Sequence, residues 1–381
     1  MQIELSEEQK LLRETVRRFA AEVVAPRAKE IDQTGEFPRS FFDQAGELGL
    51  AGVAVPEAYG GSGMDTLSYC LVIEEISRAC ATSGVILSVN NSLVCDPILK
   101  FGSEEQKQEF LTPLAAGKKL GCFALTEPGA GSDPAGMLTT ARRDGDDYVM
   151  NGNKLFITNG TDADVALVFA SVDLAKKHKG ITAFLVHADQ PGYHHGEHEF
   201  KLGVNASGTT ELSFSDLRVP VRNRLGEEGE GFKVAMSTLD GGRIGIAAQA
   251  VGIAQAALDE ALAYSQQREQ FGQPLSSFQA IQFYLADMAT ELDAARLLTW
   301  KAAWKKDTGQ RFSLEAAQAK LFASEMAQRV TNKALQIHGG YGYTKEYNVE
   351  RYFRDARITE IYEGTSEIQK MVIADWVINR S

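Results

Sequence analysis

Cysteine is scarce in this chain: there are four in 381 residues, at Cys70, Cys80, Cys95 and Cys122, and no two stand in a CxxC pair. That spacing offers neither a zinc site nor a disulfide framework, so reduced and mostly buried thiols are expected. Positive charge is also in short supply. Lys+Arg total 39 against 51 Asp+Glu, a formal charge of -12, and a nucleic-acid surface needs clustered basic residues to neutralise phosphates. No apolar run approaches the roughly 20 residues of a membrane-spanning helix. The opening MQIELSEEQKLLRETV has no basic leader followed by an apolar stretch, so it does not read as a secretory signal. A soluble intracellular protein is expected. The start at Met1, close to the first helix, fits a bacterial cytoplasmic protein, or a mitochondrial matrix one whose transit peptide has been removed.

Several chemical fingerprints are missing as well. GAGSDPAG (129–136) begins G-x-G, but Pro134 stands where the dinucleotide fingerprint needs its last Gly, and no P-loop sequence occurs anywhere. A bound dinucleotide would therefore sit on some other fold. No Gly-x-Ser-x-Gly elbow supports a hydrolase. Three of the six His lie together in PGYHHGEHEF, as His194, His195 and His198. This reads as a solvated loop between strands, with metal binding as the alternative; no metal site is expected.

What is present is ordinary globular material, 44% hydrophobic and 24% charged, which argues against long disorder. The length suggests two or three packed subregions. Ser6 and Gln9 fit a capping box before an apolar stripe of Leu12, Val16, Phe19, Ala20 and Val23. Further helices are expected over Phe41–Leu50, Thr66–Ala79 and Ser83–Phe101, with another capping box at Ser103–Gln106. From Gly121 the pattern changes to short β-branched and aromatic runs, and Asn151-Gly152 between YVM and NKLFI predicts a hairpin turn. After Phe232 the helical period returns and persists: one long helix through Leu262, then Ile281, Leu285, Met288, Leu292 and Ala295 along the next. Two more helices are expected over Ser313–Ile337 and Ser366–Ile378. The order is helical (1–120), β (121–230) and helical (231–381), an α+β chain with no internal repeat.

The chemistry-bearing candidates are polar, Gly-rich junctions. FALTEPGAGSD (123–133) leaves a strand into a tight turn, where small residues let backbone N–H groups approach a ligand; an ordinary Gly-rich loop is the alternative. QIHGGYGYTKEYNVERYFRDAR (336–357) is a Gly and aromatic turn, otherwise a Gly helix end followed by a charged connector. In ITEIYEGTSEIQ (358–369), Ser366 and Gln369 fit a capping box and place Glu363-Gly364 just before a helix N-terminus. That position lowers a carboxylate's pKa, whereas burial raises it; a base needs the second influence to win. A solvated cap residue is the other reading.

FALTEPGAGSD, KLFITNG, REQFGQPLSSFQAIQ, QIHGGYGY and IYEGTSEIQ occur in the order and spacing of the acyl-CoA dehydrogenase family, and the resemblance runs along essentially the whole chain. DGGRIGIAAQA, SVNNSL and ITEIYEGTSEIQ look most like its short-chain (butyryl-CoA) members. The resemblance implies an N-terminal helical domain, a central β-barrel-like domain and a C-terminal four-helix bundle. It also implies non-covalent FAD, an acyl-CoA substrate, electron-transfer flavoprotein as acceptor and a homotetramer (a dimer of dimers). By the same resemblance Glu363 is the base that removes the α-proton of the acyl thioester, while the β-hydrogen leaves as hydride to flavin N5. Relatives that use a second base position carry a Glu where this chain has Gly242, and glycine cannot take a proton.

The resemblance assigns FAD contacts to Phe123, Leu125, Thr126, Gly131 and Ser132, and to Phe156 and Thr158; many relatives have Trp in place of Phe156. It assigns Arg268, Phe271, Gln279, Gln336, Gly339 and Gly340 to the FAD of a neighbouring subunit, and Thr365 and Glu367 to the adenosine-diphosphate end. For acyl-CoA it implies Ser132, Asp240 and Arg243 along the pantetheine, Arg354 near the CoA phosphates, and Tyr362 and Gly364 at the thioester. An interhelix ion pair is the alternative for Arg243. An acyl-CoA oxidase on the same scaffold and a non-catalytic acyl-CoA-binding protein are the competing functions; the oxidases usually carry a further C-terminal helical domain.

Overall fold

A computed structural model describes residues 4–379; Met1, on which the location was argued, lies outside them. Helix α1 (Glu7–Phe19) begins as its capping box requires. Ser6 Oγ accepts the Gln9 N–H at 3.2 Å, and the Ser6 N–H donates to Gln9 Oε1 at 3.0 Å, which satisfies two otherwise orphaned donors. Its apolar stripe buries Val16 and Phe19. Helix α2 (Arg39–Glu47) and helix α3 (Thr66–Ala79) follow. The carboxylate of Asp65 caps α3 by accepting the Ser68 N–H at 2.7 Å.

The helix expected over Ser83–Phe101 is interrupted. Helix α4 (Ala81–Ser88) and helix α5 (Asp96–Phe101) are joined by a π-helical stretch, Val89–Cys95. Two adjacent buried amides in that stretch tie separate parts of the chain together. Asn90 donates to Ala51 O at 2.8 Å and accepts the Gly121 N–H at 3.0 Å. Asn91 accepts the Val53 N–H at 2.8 Å and donates to Leu50 O at 3.0 Å. Side-chain amides of this kind stand in for missing backbone partners.

Eight strands form the middle unit: β1 (Gly121–Ala124), β2 (Thr140–Asp144), β3 (Asp147–Ile157), β4 (Val165–Ser171), β5 (Ile181–His187), β6 (Tyr193–His195), β7 (Thr210–Pro220) and β8 (Arg224–Leu225). Their order is β6-β7-β3-β2-β4-β5-β8, with β1 parallel to β4. Only Thr140↔Ser171 joins β2 to β4, so the sheet folds over at that point. Strand β4 is buried on both faces and its alternate residues divide accordingly. Ala166, Val168 and Ala170 enter the core between the two halves of the sheet, while Val165, Leu167 and Phe169 pack toward the helices.

Asn151-Gly152 is not a turn. The reversal lies between Asp144 and Asp147, across Gly145 (φ 61°), and Gly152 sits inside β3 beside an irregularity in its register with β7. The glycine is required there by proximity: a Cβ at Gly152 would lie 2.5 Å from Thr139 Oγ1. Glycine inside a strand commonly marks such a bulge or close approach. His194 and His195 belong to the edge strand β6, and no metal-ligating cluster occurs among the described residues.

The C-terminal unit holds helix α6 (Gly231–Gln267), helix α7 (Gln279–Asp307), helix α8 (Ser313–His338), helix α9 (Val349–Ile358) and helix α10 (Ser366–Asn379). Met288, Leu292 and Ala295 are buried along α7 as the period requires. Helix α9 lies in the stretch read as a charged connector. Its buried face includes Arg351 and Asp355 beside Val349 and Ala356, so charge hides the apolar period. No described helix is long and apolar enough to cross a membrane, and all four cysteines are free and buried.

Candidate active site

Glu363 stands in the short link between α9 and α10, and its backbone is unusual. It has φ 52° and Gly364 has φ 93°, two consecutive left-handed residues of which only the glycine adopts that region cheaply. The surroundings hold the conformation in place. The Gly364 carbonyl accepts from Lys320 Nζ at 2.7 Å and from Gln369 Nε2 at 2.8 Å, and the Glu363 carbonyl accepts from Gln369 Nε2 at 3.3 Å. The Tyr362 hydroxyl donates to Gln249 Oε1, and Gln249 is fixed in turn by Ala81 O at 2.9 Å. Strain of this kind persists where the surrounding structure over-determines it.

The cap of α10 differs from expectation. Thr365 is the capping residue, its Oγ1 accepting the Ile368 N–H at 3.4 Å. Ser366 Oγ is buried without a partner among the described residues, and Gln369 is spent on the two carbonyls of the link.

Glu363 lines a cavity of about 180 Å³ together with Phe123, Leu125, Thr126, Gly131, Ser132, Phe156, Thr158, Arg243, Tyr362 and Gly364. Its Oε2 is buried and has no hydrogen-bond partner among the described residues. Burial pushes the Glu363 pKa up to about 8, against the pull of Lys320 and Arg243. Burial therefore outweighs the two nearby cations. Gly242 on α6 makes room for the carboxyl: a Cβ there would lie 2.1 Å from Glu363 Oε2 and 2.7 Å from Leu93 Cδ2.

A second cavity of about 560 Å³ shares Thr126, Gly131, Ser132, Phe156, Thr158 and the Tyr362–Gly364 link, and continues past Thr365, Leu202 and Arg354. The walls come from two neighbouring segments, since the Thr126 carbonyl accepts the Leu155 N–H at 2.9 Å. A buried pair anchors them. Glu127 accepts from Lys154 Nζ at 2.7 Å and from the Leu138 and Thr139 N–H groups at 2.6 and 3.0 Å, closing the base of the Gly-rich loop. Lys154→Met would leave the buried Glu127 carboxylate with its two backbone donors but no cation, and a loss of about 3 kcal/mol is expected in urea denaturation.

The residues present fit a large planar cofactor. A Cβ added at Gly129 or Gly131 meets nothing within 4 Å, so open space adjoins the loop backbone. Phe156 stands 61% exposed at φ 58°, an aromatic face held in a costly conformation toward the groove.

The remaining candidates do not join this cavity. Arg268, Gly339 and Gly340 line a separate one with His338, Tyr264 and Tyr341. Phe271 is 94% exposed, at φ 55° on the tip of a two-residue hairpin. Gln279, Gln336 and Glu367 are exposed. Asp240 holds Arg243 at 2.6 Å and accepts from Ser313 Oγ at 2.5 Å. The Arg243 pair lies within α6 rather than between helices, and Arg243 Nε stays buried and unpartnered.

Arg354 does not fit the role of a free phosphate partner. Its guanidinium binds Asp32 at 2.7 Å and Glu350 at 2.6 Å, so its fork is already filled by carboxylates. It joins the N-terminal unit to α9.

The acyl-CoA dehydrogenase N-terminal, middle and C-terminal domain families match residues 6–118, 122–217 and 229–378. The chain is 55% identical over 372 residues to the short-chain specific acyl-CoA dehydrogenase, mitochondrial, of Rattus norvegicus, covering 98% of this chain and 90% of that protein. It is similar to the structure of butyryl-CoA dehydrogenase from Megasphaera elsdenii, with a TM-score of 0.98 and 49% identity over 100% of both chains. A chain in a structure of the electron transferring flavoprotein of Acidaminococcus fermentans matches with the same TM-score, identity and coverage. The chain belongs to the acyl-CoA dehydrogenase family. It is an oxidoreductase with the helical, β and helical units of that fold.

Sequence reasoning gave no role to Lys320, Gln249 or the Glu127–Lys154 pair, and placed Gln369 in a cap rather than on the carbonyls of the link. Lys320 left one faint signal: it breaks an otherwise small and apolar stripe, Ala316, Ala323 and Ala327, on the buried side of α8.

Proposed function

We propose that the protein binds FAD and oxidises short-chain acyl-CoA to trans-2-enoyl-CoA, with Glu363 as the base. The observation that carries the reading is a Glu363 carboxyl at the cavity wall whose Oε2 is buried and unpaired among the described residues, held beside a glycine whose missing side chain makes its space. A carboxyl near 8 is basic enough to take a weakly acidic α-proton once ionised. The left-handed turn at Glu363-Gly364 is suited to present the Glu363 N–H to the thioester oxygen, where negative charge grows as the α-proton leaves. Apolar walls from Val85, Val89, Leu93 and Leu239 exclude water. Bound FAD supplies the acceptor for the β-hydride, completing the two-electron oxidation of the Cα–Cβ bond.

Phe123, Leu125, Thr126, Gly131, Ser132, Phe156 and Thr158 would hold the flavin end, and Thr365 and Glu367 the adenosine-diphosphate end. Asp240, Arg243, Ser132, Tyr362 and Gly364 would serve the acyl-CoA. The outward cluster of Arg268, Phe271, Gln279, Gln336, Gly339 and Gly340 is assigned to FAD of a second subunit in a homotetramer. Electron-transfer flavoprotein is the proposed acceptor, and cytoplasm or mitochondrial matrix the proposed location.

The test is anaerobic mixing of the yellow holoprotein with butyryl-CoA, followed by a kinetic series from C4 to C12 acyl-CoAs with branched C4 and C5 thioesters. Bleaching and a C4 optimum with electron-transfer flavoprotein support the reading. Rapid peroxide formation in air would make it an oxidase, and a colourless protein that binds acyl-CoA a scaffold.

A further inference from the structure

Lys320 is fully buried on α8, yet none of the chemistry above uses it. Its Nζ donates at 2.7 Å to the carbonyl of Gly364, the residue that follows the base. A buried ammonium is expensive unless it is paired and well hydrogen-bonded, and an alanine or leucine would fill this stripe of α8 more cheaply.

The Gly364 carbonyl is turned inward by the two left-handed residues of the link. It receives two donors, one neutral from Gln369 and one from Lys320. The Lys320 group therefore has two physical effects at once. It helps to lock the peptide that orients Glu363, and its charge works against the rise of the Glu363 pKa. We propose that Lys320 is a positioning residue for the reaction, fixing the Glu363-Gly364 link through the Gly364 carbonyl and favouring, by its charge, the carboxylate form of the base when it forms. The proposal rests on the reading of Glu363 as the base.

The charged surroundings are limited. Arg243 from α6 and Lys320 from α8 face Glu363 and favour its carboxylate. Tyr69 from α3 and the adjacent Tyr362 are buried phenols whose own ionisation Glu363 opposes. Burial pushes the Lys320 ammonium down to about 7, with Arg243 acting in the same direction, while Glu363 and Glu367 on α10 favour it. Of the two cations beside Glu363, Arg243 is paired with Asp240 at 2.6 Å. Lys320 makes no comparable ion pair among the described residues, so while it is protonated its charge acts on Glu363 without a carboxylate partner of its own.

The experiment measures the pH profile of kcat/KM, FAD content and melting temperature for holoenzyme carrying Lys320→Met, Gln369→Ala or Glu363→Gln. In Lys320→Met the acid limb is expected to move up by about one pH unit, and activity at pH 7 to fall about tenfold. Gln369→Ala removes the other donor to the same carbonyl without removing charge, so it should lower kcat with the limb in place. Lys320→Gln keeps a donor for Gly364 and carries the same test if the methionine variant loses FAD. An unmoved acid limb in either Lys320 variant, or loss of FAD from both, would overturn the proposal. Wild-type turnover by Glu363→Gln would defeat the base reading itself. A silent Glu363→Gln with an unmoved Lys320→Met limb would defeat only the role of Lys320.

Discussion

Glu363→Gln is expected to lower kcat by about two to four orders of magnitude, the usual contribution of a positioned general base. FAD content should be unchanged. The amide fills the same volume but cannot accept the α-proton, and the cavity walls contributed by Phe123, Leu125 and Thr126 are untouched. Anaerobic bleaching by butyryl-CoA, followed in a stopped-flow instrument, separates this chemical loss from a change in turnover of the acceptor. Rapid bleaching by the variant would remove Glu363 from the mechanism.

The same substitution has a stability consequence of opposite sign. The folded carboxyl sits at about 8 against an ordinary 4.5 because burial disfavours its charge. With its folded pKa raised, the protonated group's favourable contribution is complete below about 4.5 and is lost as pH rises toward 8. Glutamine has no proton to lose. The variant should therefore gain on wild type across that window, by at most about 1.4 kcal/mol per pH unit, and the gain should level off above it. Melting temperatures of the two holoproteins between pH 5 and 9 read this directly. A gap that shrinks with pH would contradict it. Function and stability thus pull apart at the residue where a base must be kept out of water.

Gly242→Ala is expected to lower kcat about a hundredfold, the order of loss that follows a misplacement of roughly 1 Å in a reacting group. The new methyl would lie 2.1 Å from Glu363 Oε2 and 2.7 Å from Leu93 Cδ2. The carboxyl is the end of a flexible side chain and gives way first, so the base is displaced more than the fold is damaged. Melting temperature should change little beside the loss of turnover. Normal kcat in this variant would show that Glu363 works from another rotamer. The steric argument adds to the chemical one: the glycine cannot act as a base, and it also provides the space in which the base stands.

Much of the scaffold is legible in the residues themselves. The capping boxes at Ser6 and Ser103 form as written, and α3 begins and ends where its period places it. Local chemistry determines these features, so local sequence is enough. Asn151-Gly152 misled because a turn dipeptide and a bulge glycine look alike until the facing strand is known; the reason for Gly152 is Thr139, on another segment. Helix α9 escaped notice because Arg351 and Asp355 occupy its buried face. The resemblance implies a place for Arg354 near the CoA phosphates, but Asp32, from the other end of the chain, occupies its fork.

The sequence by itself determined the scarcity of thiols and basic residues, the helical, β and helical order, and the motifs that carry the family resemblance, with Glu363 and Gly242 among them. These depend on residue identity and short spacing, which a linear chain records in full. Only the tertiary structure decided that Glu363 Oε2 is buried and unpaired, that Gly242 is its spacer, that Lys320 and Gln369 hold the link, and that Arg354 is already engaged. Each of those facts is a distance between atoms far apart in sequence. Burial and pairing, not residue type, decide whether a carboxyl is a solvated cap or a base.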